Sequence, residues 1–126
     1  MSQVLGVGCD IVGIERIARM AQRNPAIFLG RIFGEQERAA LGLEMDWRRC
    51  ARHVAAKEAC FKALGSGLIG AMRWSDVQVI DGCGTQLLIS GAAYEQMQCM
   101  GPSKFVLSIT DSGEFAIATV LWIRQT

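Results

Sequence analysis

Asp46-Trp47-Arg48-Arg49-Cys50-Ala51-Arg52-His53-Val54-Ala55-Ala56-Lys57-Glu58-Ala59-Cys60-Phe61-Lys62-Ala63-Leu64-Gly65-Ser66-Gly67 is the stretch around which the rest of the chain organises. It carries no proline or glycine from Trp47 to Leu64, so it predicts one long helix, with Asp46 as N-cap and the Gly65-Ser66-Gly67 turn as its end. At about 100° per residue, Trp47, Cys50, Ala51, Val54 and Phe61 share an apolar arc, and Glu58 falls inside it. A carboxylate aimed at a core needs a cation or several donors. Lys62, one turn on, lies at the edge of the same arc. An ordinary Glu58–Lys62 pair along the helix is one reading. A functional site is the other, because a solvated pair belongs on the polar face.

Upstream of this helix, Val4 to Asp10 reads as a buried strand whose glycines, Gly6 and Gly8, permit close backbone approach. Ile14 to Arg23 reads as a helix. Asn24 and Pro25 suit the N-cap and first position of another, over Ala26 to Phe33, and Gly34 to Leu41 is a third short helical stretch. Downstream the period changes to that of strands. Val77-Gln78-Val79 and Leu87-Leu88-Ile89 flank the turn Asp81-Gly82-Cys83-Gly84. Ser90 is a candidate cap for a helix from Ala92 to Met100, ended by Gly101-Pro102. Phe105 to Thr110 and Phe115 to Ile123 then form a second hairpin about Asp111-Ser112-Gly113-Glu114. The order predicts an α+β fold, a mostly antiparallel sheet packed on the long helix. With 126 residues and no linker-like segment, residues 1–126 read as a single domain.

Composition narrows the function classes. The chain is 51% hydrophobic and 20% charged, too apolar for disorder, and 13 Lys and Arg against 12 Asp and Glu give net +1. That charge offers no broad basic surface, so no nucleic-acid partner is expected. The longest apolar run, Phe115 to Ile123 interrupted by Thr119, falls short of the roughly 18 residues of a membrane span, and no secretory signal is evident at the N-terminus. The odd number of well-separated cysteines fits neither a disulfide framework nor a C-x-x-C zinc pair. They read as free thiols in a reducing cytoplasm.

Asp10 is the second candidate carboxylate, ending a strand within Gly8-Cys9-Asp10-Ile11; alone it would be a strand-end or turn residue. If it converges with Glu58, the two make the hard-oxygen site that magnesium uses, completed by waters and phosphate oxygens. Lys62 then supplies a point charge for a phosphate. Gly65, Gly67 and Gly70 let backbone approach a bulky anion, although they follow a helix C-terminus, whose dipole repels anions.

Gly6-Val7-Gly8-Cys9-Asp10-Ile11, the block from Ala55 to Gly67, Trp74-Ser75-Asp76-Val77 and Ser108-Ile109-Thr110 together resemble the holo-acyl-carrier-protein synthases, the small form of the 4′-phosphopantetheinyl transferase family. The resemblance runs from about Val4 to Leu121. It implies transfer of 4′-phosphopantetheine from coenzyme A to a serine of an apo-acyl carrier protein, releasing adenosine 3′,5′-bisphosphate. Asp10 and Glu58 would hold magnesium on the pyrophosphate, and Glu58 and Lys62 would be the catalytic residues. Coenzyme A would meet Lys62, Gly65, Ser66, Gly67, Ser108 and Thr110, with Arg49 and Arg52 at the nucleotide.

The chain departs from that pattern in ways that bear on activity. Asp111 stands where the family typically has histidine, and repulsion of coenzyme A is the expected cost. His53 stands where arginine is usual, on the side of the helix away from Glu58, which reads as a solvated surface position. A relative that binds carrier protein without efficient transfer is the alternative these changes raise.

The first helix carries a second feature. Ile14, Ile17, Ala18 and Ala21 take one face, and Arg16, Arg19, Met20 and Arg23 the other. A charged stripe is usually only solvated, but an exposed methionine among arginines suits docking. By the resemblance, Arg16, Met20 and Arg23 would grip the acidic recognition helix of the carrier protein, remote from the nucleotide. The small form assembles as a trimer with active sites between subunits, and a homotrimer is expected here. Two hairpins also leave more apolar strand surface than one helix readily covers.

Overall fold

The computed structural model describes residues 3–41, 46–65, 67 and 70–125. Strand β1 (Gln3–Gly13) leads into three short helices, α1 (Ile14–Arg23), α2 (Pro25–Ile32) and α3 (Glu35–Leu41). The long helix α4 (Trp47–Ala63) follows, then a single 3-10 turn (Trp74–Asp76), the hairpin β2 (Val77–Ile80) and β3 (Gln86–Ile89), helix α5 (Gly91–Gln98), and the hairpin β4 (Ser103–Ser112) and β5 (Phe115–Arg124). The strands form two antiparallel sheets, one ordered β1-β5-β4 and one made of β2 and β3. This is the α+β fold expected, divided between two sheets.

Local chemistry accounts for most boundaries. Asp46 Oδ1 accepts from the amides of Arg48 and Arg49 at 3.1 and 3.2 Å and so caps α4, and Asn24 Oδ1 accepts from Ile27 at 3.2 Å with Pro25 at the first position of α2. Gly65, at φ +86°, donates to the Lys62 carbonyl and closes α4. Ser90 does not cap α5; its hydroxyl turns instead to the Asp76 carbonyl at 3.5 Å. β1 runs three residues past Asp10 because β5 pairs with it continuously as far as Gly13 opposite Phe115, with one bulge between Val4 and Gly6. The turn between β4 and β5 is tighter than expected, only Gly113-Glu114, which puts Asp111 into the strand opposite Ala116.

Helix α4 is the centre of the molecule. Cys50, Ala51, Val54, Ala55, Ala56, Ala59, Cys60 and Phe61 are all buried, so it is enclosed on nearly every side rather than along one arc. The β1-β5-β4 sheet lays Val12, Ala116, Ala118, Val120 and Trp122 against it. The closest approach is backbone to backbone. A Cβ on Gly8 would stand 1.7 Å from the Ala59 carbonyl oxygen, and one on Gly6 1.8 Å from that of Ala63. Both positions therefore exclude any side chain.

Candidate active site

The alternation of β1 turns Gly8, Asp10 and Val12 toward α4, and the glycine contact brings Asp10 down onto the helix at the turn that carries Glu58 and Lys62. Lys62 Nζ donates to Asp10 Oδ1 at 2.9 Å and to the Cys9 carbonyl at 3.0 Å. Thus Lys62 turns across to β1, not back along the helix to Glu58, and its side chain stays half exposed. Asp10 and Glu58 meet carboxyl to carboxyl. Burial, then the hydrogen bond and charge of Asp10, push the Glu58 carboxyl up to about 7, only partly opposed by Lys62 and Arg16. Asp10 Oδ2 is buried and has no hydrogen-bond partner. Two carboxylates and a lysine predicted from separate segments are therefore one cluster.

The arginines lie elsewhere on the helix. Arg49 is about 13 Å along the axis and about 180° around it from Glu58, and Arg52 about 9 Å and about 120° away. With Arg48 they line a cavity of about 150 Å³ that also receives His53 and Asp81. Two corrections follow here. His53 is 2% exposed, not a surface histidine, because α3 covers that side of α4. Asp111 is paired rather than alone: Arg48 Nη1 donates to its Oδ2 at 2.7 Å. Ser108 and Thr110 are exposed on the outer face of β4, away from α4, and within one chain they do not join Asp10 and Glu58. Ser66 lies outside the described residues. The amides of Gly65 and Gly67 donate to the Lys62 and Phe61 carbonyls.

The reading of the sequence passed over Lys57. It is fully buried, donating to Glu37 Oε1, to the Val77 carbonyl and, at 3.2 Å, to the Trp74 carbonyl. Glu37, equally buried, also accepts from the Gly34 amide at 3.1 Å and from His53 Nδ1 at 2.9 Å. Burial favours the protonated acid, but His53 and Lys57 outweigh it and hold Glu37 below the usual carboxylate range. A signal existed, since Lys57 falls within about 20° of Cys50 on the helical projection, inside the apolar arc. The partner could not be read, because Glu37 lies on another element.

The stripe on α1 is present, with Met20 41% exposed. It continues onto α2: Met20, Arg23, Ile27 and Arg31 border an apolar groove of about 300 Å³ floored by Phe28 and Trp74. Its other end is not remote from the chemistry, since the charge of Arg16 acts on Glu58. Burial raises the Cys50 thiol to about 11 and the Cys60 thiol to about 12, so neither is a nucleophile near neutral pH.

Comparison with known proteins shows the family and the fold. Residues 6–120 match the 4′-phosphopantetheinyl transferase superfamily. A holo-[acyl-carrier-protein] synthase of Acidithiobacillus ferrooxidans is 40% identical over 126 residues, 96% of this chain and 98% of the relative. The crystal structure of the Neisseria meningitidis synthase superposes with a TM-score of 0.86 at 27% identity, covering 95% of this chain and 98% of its own. That of Bacillus anthracis, in complex with coenzyme A (3′,5′-ADP), gives 0.78 at 31% identity, covering 97% and 98%. A match across nearly the whole chain, in sequence and in fold alike, places this protein in the 4′-phosphopantetheinyl transferase superfamily.

Proposed function

We propose that the chain transfers the 4′-phosphopantetheine group of coenzyme A to a serine of an apo-acyl carrier protein, releasing adenosine 3′,5′-bisphosphate. The observation that carries this reading is the meeting of Asp10, Glu58 and Lys62 at one point on α4. An orphaned buried oxygen on Asp10 and a Glu58 carboxyl pushed toward protonation are a donor set suited to a hard divalent cation. Magnesium fits, held by these two carboxylates with its remaining positions left to water and phosphate oxygens. Bound there, it would neutralise pyrophosphate charge as the serine oxygen attacks the β-phosphorus. Lys62 holds Asp10 in place and leaves its half-exposed ammonium beside the phosphates.

The nucleotide end of coenzyme A is assigned to the pocket of Arg48, Arg49 and Arg52. Arg49 and Arg52 point away from Glu58 on the same helix, so one coenzyme reaches both sites most simply across two subunits. The outer sheet face supports such an assembly. Val7, Leu121 and Val106 form one row across its three strands, Cys9, Thr119 and Ser108 the next, and Ile11, Ile117 and Thr110 a third. Val7 and Ile11 are 58% and 60% exposed, an apolar surface that a homotrimer would cover. Ser108 and Thr110 lie on this face, within reach of a neighbouring copy and not of their own Glu58. The acidic carrier protein docks along Arg16, Met20 and Arg23 and the groove beside them.

No helix among the described residues is long and apolar enough to cross a membrane, and the free cysteines suit a reducing cytoplasm. Incubation with coenzyme A, magnesium and apo-carrier proteins, read by intact-mass spectrometry, tests the assignment. A gain of one phosphopantetheine that disappears with chelator is expected. Carriers that stay unmodified while still binding the protein would favour a non-transferring relative instead.

A further inference from the structure

Arg49, His53 and Lys57 follow one another at four-residue spacing, so they form a single row on α4 that runs from the arginine pocket into the core. Their side chains are 32%, 3% and 0% exposed. The inner end of this row has no part in the transfer as described so far. Lys57 Nζ is held by the Glu37 carboxylate of α3 and by the Trp74 and Val77 carbonyls, at the 3-10 turn and the first residue of β2. A buried ion pair is weak ground for stability, since apolar side chains of similar volume often serve as well. What this one supplies is direction: one ammonium with acceptors on α3, the 3-10 turn and β2 fixes where all three stand against α4.

The outer end of the row hangs on the same elements. Arg49 Nη1 donates to the Ala40 carbonyl, near the end of α3, at 3.3 Å, and Nη2 donates to Asp81, the residue after β2, at 3.1 Å. These two bonds set the plane of the guanidinium and leave its other donors for an anion. The start of α3 is tied to β2 as well, because Gln78 Oε1 accepts from the amides of Gln36 and Glu37 at 2.9 and 3.2 Å. Gly34 makes room for that side chain, since a Cβ there would stand 2.2 Å from Gln78. Both partners of Arg49 therefore belong to segments that Lys57 fastens to α4.

We propose that Lys57, together with Glu37, is a positioning residue for nucleotide binding: by fixing α3 and β2 against α4 it places the Ala40 carbonyl and Asp81, and these aim Arg49 at the phosphate groups of the coenzyme. This rests on assigning the nucleotide to the arginine pocket. Lys57 itself, fully buried, touches neither coenzyme nor carrier protein. Consecutive residues of α4 then serve the two ends of the coenzyme, Glu58 at the pyrophosphate and Lys57, through Arg49, at the nucleotide.

Glu37→Gln combined with Lys57→Met removes both charges at nearly constant volume and leaves no unpaired ion in the core. Calorimetry with adenosine 3′,5′-bisphosphate, at a temperature where circular dichroism shows each variant folded, should give about a tenfold loss of affinity for this double variant, and about the same for Arg49→Ala. The decisive reading is their combination. Because Lys57 acts through Arg49, adding the charge removal to Arg49→Ala should cost no more than Arg49→Ala alone. A core that is merely loosened would lower the melting temperature, and any loss of affinity would multiply with that of Arg49→Ala, to about a hundredfold. Such multiplication, or a double variant that binds as the wild type does, overturns the role of Lys57 and leaves the pocket assignment standing. Should the double variant fail to fold, Glu37→Gln alone, which leaves Lys57 its two carbonyls, enters the same cycle. Affinity that falls with Arg52→Ala but not with Arg49→Ala overturns the inference and leaves the pocket in place. Nucleotide indifferent to both arginine changes, or that does not bind at all, overturns the pocket assignment as well.

Discussion

Lys57 and Glu58 are consecutive on α4, yet one is a structural ion and the other the carboxylate proposed for chemistry. Lys57 finds three acceptors, one of them a carboxylate, which is what a fully buried ammonium requires. Glu58 finds chiefly another carboxylate, and that conflict is what supports its proposed role at the metal. In metal-free protein its carboxyl, ordinarily near 4.5, is raised to about 7, so the native state binds more protons than the unfolded chain between these values. Its contribution to stability is present in full below about pH 4.5 and is lost as pH rises through about 7. Melting in the presence of chelator should show this decline, and Glu58→Gln should flatten it and melt higher at pH 8 than the wild type. The same variant should lose transfer activity on the order of a hundredfold. A Glu58→Gln protein that keeps full turnover at limiting magnesium would remove this residue from the metal site.

At the scale of elements, the contact of β1 with α4 positions the site. Gly8 lies two residues before Asp10 and meets the Ala59 carbonyl one residue after Glu58, so strand and helix are registered by a contact that only glycine allows. Gly8→Ala should therefore cost about 1–3 kcal/mol in urea unfolding and depress activity beyond what the stability loss explains, because β1 must lift and carry Asp10 with it. Equal activity per folded molecule would show that the register tolerates the shift. In the proposed docking, helices α1 and α2 act together, one giving the arginine stripe and the other the far wall of the groove. Arg23, at the end away from Glu58, separates docking from chemistry better than Arg16 does. Arg23→Glu should raise the KM for carrier protein about tenfold at low salt with little change in kcat, and the difference should shrink as salt screens the charge.

For the whole molecule, the outer face of the β1-β5-β4 sheet is the surface that bears on assembly. Val7, Ile11 and Val106 are exposed apolar side chains on it, with Leu121 and Ile117 part-buried between them, and no element among the described residues covers them. Ile11→Glu places a charge at the middle of that face without touching α4. Light scattering should then report a smaller particle than the wild type, and activity should fall with assembly because the arginine pocket and the carboxylate pair of one chain face apart. A wild-type monomer with full activity would exclude shared sites.

The helices and hairpins were legible in the sequence because their causes are local. Caps at Asp46 and Asn24, the proline at the start of α2 and the turn glycines act within a few residues, and so does the pairing of neighbouring strands into hairpins. Asp10, Glu58 and Lys62 were legible for a related reason: a carboxylate in an apolar arc and a glycine-flanked strand end are unusual wherever they occur. What packs against what was not local. Glu37 found Lys57 and His53 only because α3 folds over α4, and Asp111 met Arg48 only because a two-residue turn draws it into β4. Such pairs join residues tens of positions apart, and their charges compensate only once the chain has closed around them. The sequence by itself determined the elements and singled out the candidate groups; the tertiary structure decided which charges were already matched and which remained for a ligand, because electrostatic partnership depends on distance in space.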